Sequence, residues 1–334
     1  MPTLQLFWKR CRRTFRRPLQ TAHGEWRSRT TLILRLDDGT HRGYGEVAPL
    51  TAFGSESLER AEAFLDTLRG SLTREKLARV SDSLPCCQFA LESAMRQIEA
   101  SDGLPARTWP VAGLLPAGPD VLEALPELEG RNYEAVKWKI GVEEPMIEWD
   151  LLGAVHQALP PDCELRVDAN SSLDVDTARG WLERLEALTR PCLLEQPLRP
   201  GMEDIMDELR EVSSVCIALD ESAGRAASLR RPPLSLWRGG WVIKPMILGA
   251  ERHWRAFREE RPRDPVIFSS AFETAFGVEN VLEFIRDDPG TPKALGFGTL
   301  DAFEDDGLTL HPPGASITSG QIPLAQLDAL WQQL

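Results

Sequence analysis

The feature that most constrains the fold of this chain is a repeated alternation of short apolar segments with helical patterns beyond residue 105. The apolar segments recur at similar intervals, and helical periodicity fills the gaps, for example at 177–188 and 203–212. Eight strand–helix units of this kind are typical of an α/β barrel of the TIM type. An open doubly wound sheet is the alternative, and the missing glycine-rich phosphate turn disfavours it. The predicted barrel strands are 110–115, 135–140, 164–168, 192–195, 215–220, 241–244, 265–269 and 294–298.

The first hundred residues have a different pattern, which predicts an antiparallel meander followed by helices. A turn-rich stretch at 102–105 marks the best domain boundary. The predicted elements are strands at 3–10, 30–36 and 43–47 and helices at 57–70 and 86–101. We therefore predict an α+β unit at 1–105 and a barrel at 106–310. The tail at 311–334 ends in an amphipathic helix that could return to the first unit.

Composition excludes several classes of function. The net charge is −13, although residues 1–42 carry ten Lys/Arg against three acids, which gives 10 − 3 = +7. An acidic chain is a poor general nucleic-acid binder, and no apolar run approaches the roughly 20 residues of a membrane span. Six cysteines without CxxC spacing favour a reducing cytoplasm over a disulfide framework or a zinc site. We infer neither a nucleic-acid partner, nor membrane attachment, nor an obligate protein partner.

Charged residues stand at the C-terminal ends of five successive predicted strands. Successive side chains of a β-strand point to opposite faces, so Lys137 and Lys139 share one face of the second barrel strand. Barrel active sites collect residues from the C-terminal ends of strands, so the charged side chains should converge there. In chain order they are Lys137 and Lys139, then Asp168, Glu195, Asp220 and Lys244.

Three carboxylates at one barrel mouth repel each other unless a cation lies among them. An all-oxygen donor set suits a hard cation that keeps some water, and Mg²⁺ fits better than zinc or copper. A divalent ion can stabilise the enediolate that forms when a proton leaves the carbon next to a carboxylate, and a lysine can act as the base. The predicted metal ligands are Asp168, Glu195 and Asp220.

Each of these residues also has a simpler explanation when taken singly. A strand-end acid can be a helix N-cap, and a barrel lysine can be a salt-bridge partner or a Schiff-base nucleophile. Lys137 and Lys139 could keep an edge strand soluble. The order Lys, Asp, Glu, Asp, Lys on five successive strands favours a metal-assisted proton-abstraction site.

With these residues the chain resembles the enolase superfamily, and its Lys-x-Lys strand and Lys244 resemble the muconate-lactonizing subgroup. The resemblance covers essentially the whole chain. It implies an enolase-like fold, which is a modified (β/α)₇β TIM barrel with an α+β capping domain made from both chain ends. Within the subgroup the chain is most similar to the o-succinylbenzoate synthases. The stretches that carry this likeness are 43–50, 166–170, 194–197, 218–222, 269–273 and 296–299.

The resemblance implies dehydration of 2-succinyl-6-hydroxy-2,4-cyclohexadiene-1-carboxylate to o-succinylbenzoate, in menaquinone or phylloquinone biosynthesis. It implies that Lys139 removes the α-proton and returns it to the departing hydroxide on the same face. Lys244 would stay protonated and stabilise the enediolate from the other face, and Lys137 would tune Lys139. Mg²⁺ would be the cofactor, and Mn²⁺ could replace it.

The implied substrate is a small anionic dicarboxylate, which suits the basic stretch near Arg16, Arg17 and His23. Capping loops at 21–26 and 49–55 would close over it and exclude water. Arg166 would either orient the metal shell or form a salt bridge inside the barrel. The implied substrate-binding and metal-supporting residues are Ser269, Ser270, the backbone near Gly298, and Asn170.

Three alternatives remain open at this point. The first is another subgroup reaction, such as an N-succinylamino acid racemase or a cycloisomerase. The second is a catalytically silent barrel that acts as a metal-binding scaffold, and the third is a Schiff-base aldolase. Dipeptide epimerases of the subgroup carry Asp-x-Asp at the last strand, where this chain has Gly298 and Thr299. This departure argues against an amino-acid or dipeptide substrate.

Overall fold

A computed structural model describes residues 4–21, 24–69, 71–100, 105–128, 130–290 and 292–334. The N-terminal part forms an antiparallel sheet in the order β3-β2-β1-β4, with helices packed on one side. The predicted meander is confirmed, but its first hairpin is much longer than expected. The elements are β1 Leu4–Thr21, β2 Gly24–Asp37, β3 Arg42–Val47, α1 Leu58–Thr67, β4 Ser71–Leu72, α2 Arg74–Ala78 and α3 Pro85–Glu99.

The second part is a parallel sheet of seven strands in the order β12-β11-β10-β9-β8-β7-β6, with helices between successive strands. Its strands are β6 Gly113–Leu115, β7 Ala135–Lys139, β8 Glu164–Asp168, β9 Cys192–Glu195, β10 Cys216–Leu219, β11 Gly240–Ile243 and β12 Val266–Phe268. Its helices are α4 Val121–Ala124, α5 Pro145–Ala158, α6 Val175–Glu186, α7 Glu203–Glu211, α8 Ala226–Leu229, α9 Pro245–Leu248, α10 Glu251–Glu260 and α11 Ala275–Arg286.

The ring closes through a segment that has no strand of its own. Leu295 bridges to Val111 and Gly296 bridges to Ser269, so this segment links β12 back to the start of the barrel. The structure confirms the predicted modified TIM barrel. The prediction of a full strand at 294–298 was wrong. Glycines on both sides of Phe297 weaken regular β-strand pairing there.

The single strand predicted at 110–115 was also wrong, because the structure has two. A strand β5, Thr108–Pro110, pairs with β13, Ser316–Thr318, outside the barrel sheet, and β6 begins only at Gly113. Pro110 lacks the N–H that would continue a ladder, which fits a break at this position. The predicted domain boundary at 102–105 stays a prediction, since residues 101–104 lie outside the described part of the chain.

The stretch Gly-Tyr-Gly-Glu in β3 joins the N-terminal sheet to the barrel. Gly43 and Gly45 face α3, and a Cβ at either position would overlap a backbone carbonyl oxygen of that helix. Tyr44 points the other way, where its ring lies 5.1 Å from Phe276 and 5.9 Å from Trp331. Trp331 belongs to the C-terminal helix α12, Leu324–Gln333, which therefore packs on the N-terminal sheet.

Glu46 forms the polar half of the same junction. Its buried Oε2 accepts hydrogen bonds from Thr274 N at 2.9 Å, Thr274 Oγ1 at 2.7 Å and Gly277 N at 3.0 Å. These groups form the N-terminus of α11, where backbone N–H groups lack helical partners and attract a negative charge. Glu46 thus fixes the N-terminal sheet against the helix that follows the seventh barrel strand.

Replacing Glu46 by alanine should lower the free energy of unfolding by about 3 kcal/mol, because buried donors at the start of α11 lose a charged acceptor. Urea unfolding followed by circular dichroism measures this loss. The control is Glu62→Ala, which removes the half-buried partner of the exposed Arg10 and should cost far less. Equal losses in the two variants would contradict the assigned role of Glu46.

No helix within the described residues is long and apolar enough to cross a membrane.

Candidate active site

The barrel register brings three of the predicted residues to one level. Lys139 lies opposite Asp168 in the pairing of β7 with β8, and Asp168 lies opposite Glu195 in the pairing of β8 with β9. Each of them is the last residue of its strand. Parallel strands place such residues at the same rim of a barrel. The side chains of Asp168 and Glu195 are buried there, and Lys139 is half-buried.

The next two strands bring their charged residues to the same rim. Asp220 directly follows β10, and Lys244 directly follows β11. The Lys244 ammonium forms an ion pair with Oδ1 of Asp220. The Lys137 ammonium lies 2.7 Å from Oδ2 of Asp168 and 2.8 Å from Oε1 of Glu195. The structure therefore gathers all six residues predicted from the strand ends in one cluster.

Burial and neighbouring charges shift the pKa values of Glu195 and Lys137 in this cluster. Glu195 is 1% exposed, and this burial, with the nearby Asp168 carboxylate, raises its pKa to about 8. Burial alone would lower the pKa of Lys137, but the Asp168 and Glu195 carboxylates outweigh it and raise the pKa above its usual value. Three carboxylates at this depth thus need positive charge beside them.

Asn170 and Glu221 surround the cluster. Asn170 donates from its backbone N to Asp168 Oδ1 at 2.9 Å and from Nδ2 to Asp168 Oδ2 at 3.2 Å. The same amide group reaches Oε1 of Glu221 at 3.2 Å. Burial and the adjacent Asp220 carboxylate raise the pKa of Glu221 to about 7. The sequence reading missed Glu221, although it directly follows Asp220.

The chemistry of the donors fits a hard divalent cation. Three carboxylates supply only oxygen, and Glu221 Oε2 is buried without a hydrogen-bond partner among the described residues. In the described part of the chain, no three Asp, Glu, His or Cys side chains surround a point that could hold a metal ion. The ammonium groups of Lys137 and Lys244 lie among the carboxylates instead, and they stand in for the positive charge of a cation.

A turn from the N-terminal unit reaches this cluster. The aromatic ring of Phe53 lies 4.3 Å from the Lys244 ammonium, which is a cation–π contact. The buried Arg29 holds the start of this segment, because its guanidinium donates to the carbonyl oxygens of Ala48 at 2.9 Å and Pro49 at 2.6 Å. The predicted loop at 49–55 is therefore placed over the barrel mouth, and Phe53 is its contact with the charged cluster.

Comparisons with known proteins agree with this fold. A profile described as "Enolase C-terminal domain-like" matches residues 120–232, and one described as "MenC, N-terminal domain" matches residues 19–98. An o-succinylbenzoate synthase from Thermosynechococcus vestitus is 36% identical over 299 residues, which cover 87% of this chain and 91% of that protein. The chain belongs to the o-succinylbenzoate synthase family.

Two further comparisons also cover most of the chain. The o-succinylbenzoate synthase of Yersinia enterocolitica is 28% identical over 92% of this chain and 93% of its own length. The solved o-succinylbenzoate synthase of Thermosynechococcus elongatus, complexed with Mg in its active site, superposes with a TM-score of 0.86. It is 33% identical, and the match covers 99% of this chain and 100% of that one.

A solved N-succinyl Arg/Lys racemase from Bacillus cereus has the same fold. Its TM-score is 0.80 at 19% identity, with 98% of each chain covered. At this identity the likeness concerns the fold alone. The residues of the barrel mouth, and not the overall shape, must therefore separate the o-succinylbenzoate synthase family from its racemising neighbours.

The residues that the resemblance assigned to substrate binding differ in their hydrogen bonds and packing. Ser269 is buried beside Gly296, whose carbonyl oxygen lies 3.4 Å from its hydroxyl. The Ser270 hydroxyl donates to Oε2 of Glu273 at 2.6 Å, so it is already used inside its own loop. Gly298 lies directly against Leu114, and an added Cβ would come within 3.0 Å of that side chain. Sequence reasoning did not single out Leu114 as a neighbour of this site, and its side chain is half exposed.

Two arginines that the sequence singled out, Arg166 and Arg16, form hydrogen bonds within the protein. Arg166 donates to Oε2 of Glu164 and to the carbonyl oxygen of Ala294, each at 2.7 Å. Of its two interpretations, the structure therefore shows the salt bridge inside the barrel. Arg16 donates from its backbone to Ala302 O at 2.9 Å, which pins the first hairpin to the loop after the last barrel segment.

The rest of the predicted basic rim is only partly described. Arg17 is exposed near the end of β1, whereas His23 lies outside the described residues. Of the predicted capping loop at 21–26, residues 22 and 23 lie outside the described residues. Thr21 ends β1 and Gly24 begins β2, so the described residues of this stretch are strand.

Proposed function

We propose that this chain is a Mg²⁺-assisted dehydratase that converts 2-succinyl-6-hydroxy-2,4-cyclohexadiene-1-carboxylate to o-succinylbenzoate and water. One observation carries the proposal. Lys139, Asp168 and Glu195 lie at the same level of the barrel rim. Lys244 pairs with Asp220 beside them. The 36% identity to an o-succinylbenzoate synthase supports this particular reaction. The match to a MenC N-terminal domain supports a place in menaquinone or phylloquinone biosynthesis.

The reaction needs one group that first accepts and then donates a proton. Lys139 takes the proton from the ring carbon that bears the carboxylate, and the electron pair of that C–H bond enters the ring system. The same ammonium then protonates the departing hydroxyl on that face, so the C–O bond breaks and water leaves. The ring becomes aromatic, which favours the second step.

Asp168, Glu195 and Asp220 would hold Mg²⁺, and Asn170 keeps Asp168 oriented through two hydrogen bonds. When bound, Mg²⁺ supplies positive charge for the substrate carboxylate as proton loss makes it more negative. We expect Mn²⁺ to substitute, since both ions accept carboxylate ligands. Lys137 pairs with two of the carboxylates and places positive charge next to Lys139.

Lys244 would stabilise the developing negative charge from the side opposite Lys139. The Phe53 ring lies 4.3 Å from its ammonium and adds a cation–π contact. Ser269 and the backbone near Gly298 would receive the succinyl carboxylate, with Ser270 fixing the loop. The substrate is thus a small dicarboxylate. A cytoplasmic enzyme that needs no nucleic acid, membrane or second protein fits the chemistry.

Proton NMR in D₂O tests the reaction class. With the cyclohexadiene substrate and Mg²⁺, the vinylic and ring C–H signals should give way to the aromatic signals of o-succinylbenzoate. With an N-succinyl amino acid the α-proton signal should persist much longer. Fast loss of that α-proton signal, with no aromatic product from the first substrate, would assign the site to a racemase instead.

Replacing Phe53 by leucine should lower kcat/KM by roughly 3- to 30-fold, because a cation–π contact of about 0.5–2 kcal/mol is lost at Lys244. Steady-state kinetics at saturating Mg²⁺ measures the change. The matched control is Phe7→Leu, whose exposed ring makes a similar contact with Arg35 at 4.7 Å, away from the barrel mouth. Equal kinetics for both variants would remove Phe53 from the site.

A further inference from the structure

The residue after Glu195 makes contacts that span three strand ends. Gln196 is fully buried, and its φ of 34° lies in the left-handed region that non-glycine residues rarely adopt. Its backbone N donates to Ala218 O in β10 at 2.8 Å, and its carbonyl oxygen accepts from Ser171 N, beyond β8, at 2.8 Å. Such a strained conformation persists only where the surroundings hold it firmly.

The Gln196 side chain adds a second set of bonds. Oε1 accepts from Asp220 N at 2.9 Å and from Ser222 N at 3.2 Å. Nε2 donates to Leu198 O at 2.8 Å and to Ser222 Oγ at 2.9 Å. The Ser222 hydroxyl continues the chain to Oε1 of Glu203 at 2.6 Å. Both the oxygen and the nitrogen of the Gln196 amide therefore have hydrogen-bond partners, and none of these partners is a carboxylate of a predicted metal ligand.

These bonds connect the segments that carry the three predicted metal ligands. The backbone of Gln196 ties the turn after Asp168 to β10, and its side chain fixes the backbone of Asp220 relative to Glu195. Three buried carboxylates repel each other, so their spacing depends on a rigid backbone behind them. We propose that Gln196 is a positioning residue that sets the separation of Glu195 and Asp220 and thereby the affinity of the site for Mg²⁺.

The proposal rests on the proposed metal site, and its test is metal binding rather than turnover. Gln196→Met keeps the volume of the side chain but removes its four hydrogen bonds. Calorimetric titration of the purified metal-free protein with Mg²⁺ should show a dissociation constant raised by roughly 10- to 100-fold. If the wild-type protein itself binds no Mg²⁺, the proposed function fails together with the role of Gln196.

A second buried glutamine provides the matched control. Gln88 donates to Val80 O at 2.8 Å and accepts from Ala250 N at 3.1 Å, so it joins the N-terminal unit to the segment after α9 and has no contact with the predicted metal ligands among these bonds. Gln88→Met should lower the melting temperature about as much as Gln196→Met, yet leave the Mg²⁺ dissociation constant within about twofold of wild type. Unchanged Mg²⁺ affinity in both variants would leave Gln196 a purely structural residue and overturn the proposal.

A milder variant decides the question if Gln196→Met does not fold. Ser222→Ala removes the hydroxyl that links the Gln196 amide to Glu203, while both N–H bonds to Oε1 remain available. We expect the Mg²⁺ dissociation constant to rise by roughly tenfold, at the lower end of the effect of a lost supporting contact. An unchanged constant in Ser222→Ala would contradict the positioning role.

Discussion

Lys139→Ala should lower kcat by roughly 10²- to 10⁴-fold, which is the usual contribution of general acid–base catalysis. Lys139 ends β7 directly opposite Asp168, so its side-chain amine is the proposed base at the level of the carboxylate cluster. The proposed reaction needs it twice, once to accept the ring proton and once to return it to the hydroxyl. Lys137 and Lys244 each pair with a carboxylate of the cluster, and the proposal gives them charge stabilisation instead.

Steady-state kinetics together with Mg²⁺ titration separates this effect from damage to the fold. The Lys139→Ala variant should bind Mg²⁺ with nearly wild-type affinity and melt at a similar temperature. The matched control is Lys293→Ala, which removes a lysine that pairs with Glu164 at the opposite end of the barrel. The control should keep most of its activity. A Lys139→Ala variant that retains more than about a tenth of wild-type kcat would exclude Lys139 as the acid–base residue.

Glu195→Gln should abolish turnover without destabilising the metal-free protein. Loss of a charged ligand should weaken Mg²⁺ binding and remove several kcal/mol of transition-state stabilisation, which corresponds to roughly 10²-fold or more in rate. In the metal-free protein, burial and the Asp168 carboxylate hold the pKa of Glu195 near 8, above the value of an exposed glutamate. Its ionised form therefore costs folding free energy at neutral pH, and a neutral amide relieves that cost.

Thermal melting with and without Mg²⁺ checks both halves of this prediction. The wild-type melting temperature should rise on adding Mg²⁺, whereas that of Glu195→Gln should not change. The control is Glu164→Gln in the adjacent strand, where Arg166 and Lys293 outweigh burial and lower the pKa of the carboxyl. That variant should lose stability but keep its response to Mg²⁺. A Mg²⁺-dependent rise in Glu195→Gln equal to that of wild type would remove Glu195 from the metal site.

The positions of the charged cluster could be predicted because they depend on local rules. Alternation along β7 places Lys137 and Lys139 on one face, and parallel strands end at one rim, so Asp168 and Glu195 had to lie near them. These rules could not decide between the two interpretations of Arg166, because one of its two partners, Ala294, is far away in the sequence.

Most of the residues that sequence reasoning missed act through partners elsewhere in the chain. Glu46 caps a helix that begins more than two hundred residues later, and Arg29 holds a segment by its backbone carbonyls. Neither contact leaves a periodic signal in the chain. Phe53 lay within a predicted capping loop, but its contact with Lys244 depends on how the two units dock. Gln196 follows a predicted ligand, yet its importance comes from three strand ends meeting around it.

The central claim is tested most directly by giving the purified wild-type protein 2-succinyl-6-hydroxy-2,4-cyclohexadiene-1-carboxylate and following aromatic product by absorbance and mass spectrometry. With Mg²⁺ present, we predict one o-succinylbenzoate and one water for each substrate consumed. A chelator should stop the reaction, and excess Mg²⁺ should restore it. If no aromatic product forms although the protein is folded and binds Mg²⁺, the proposed dehydratase activity is contradicted.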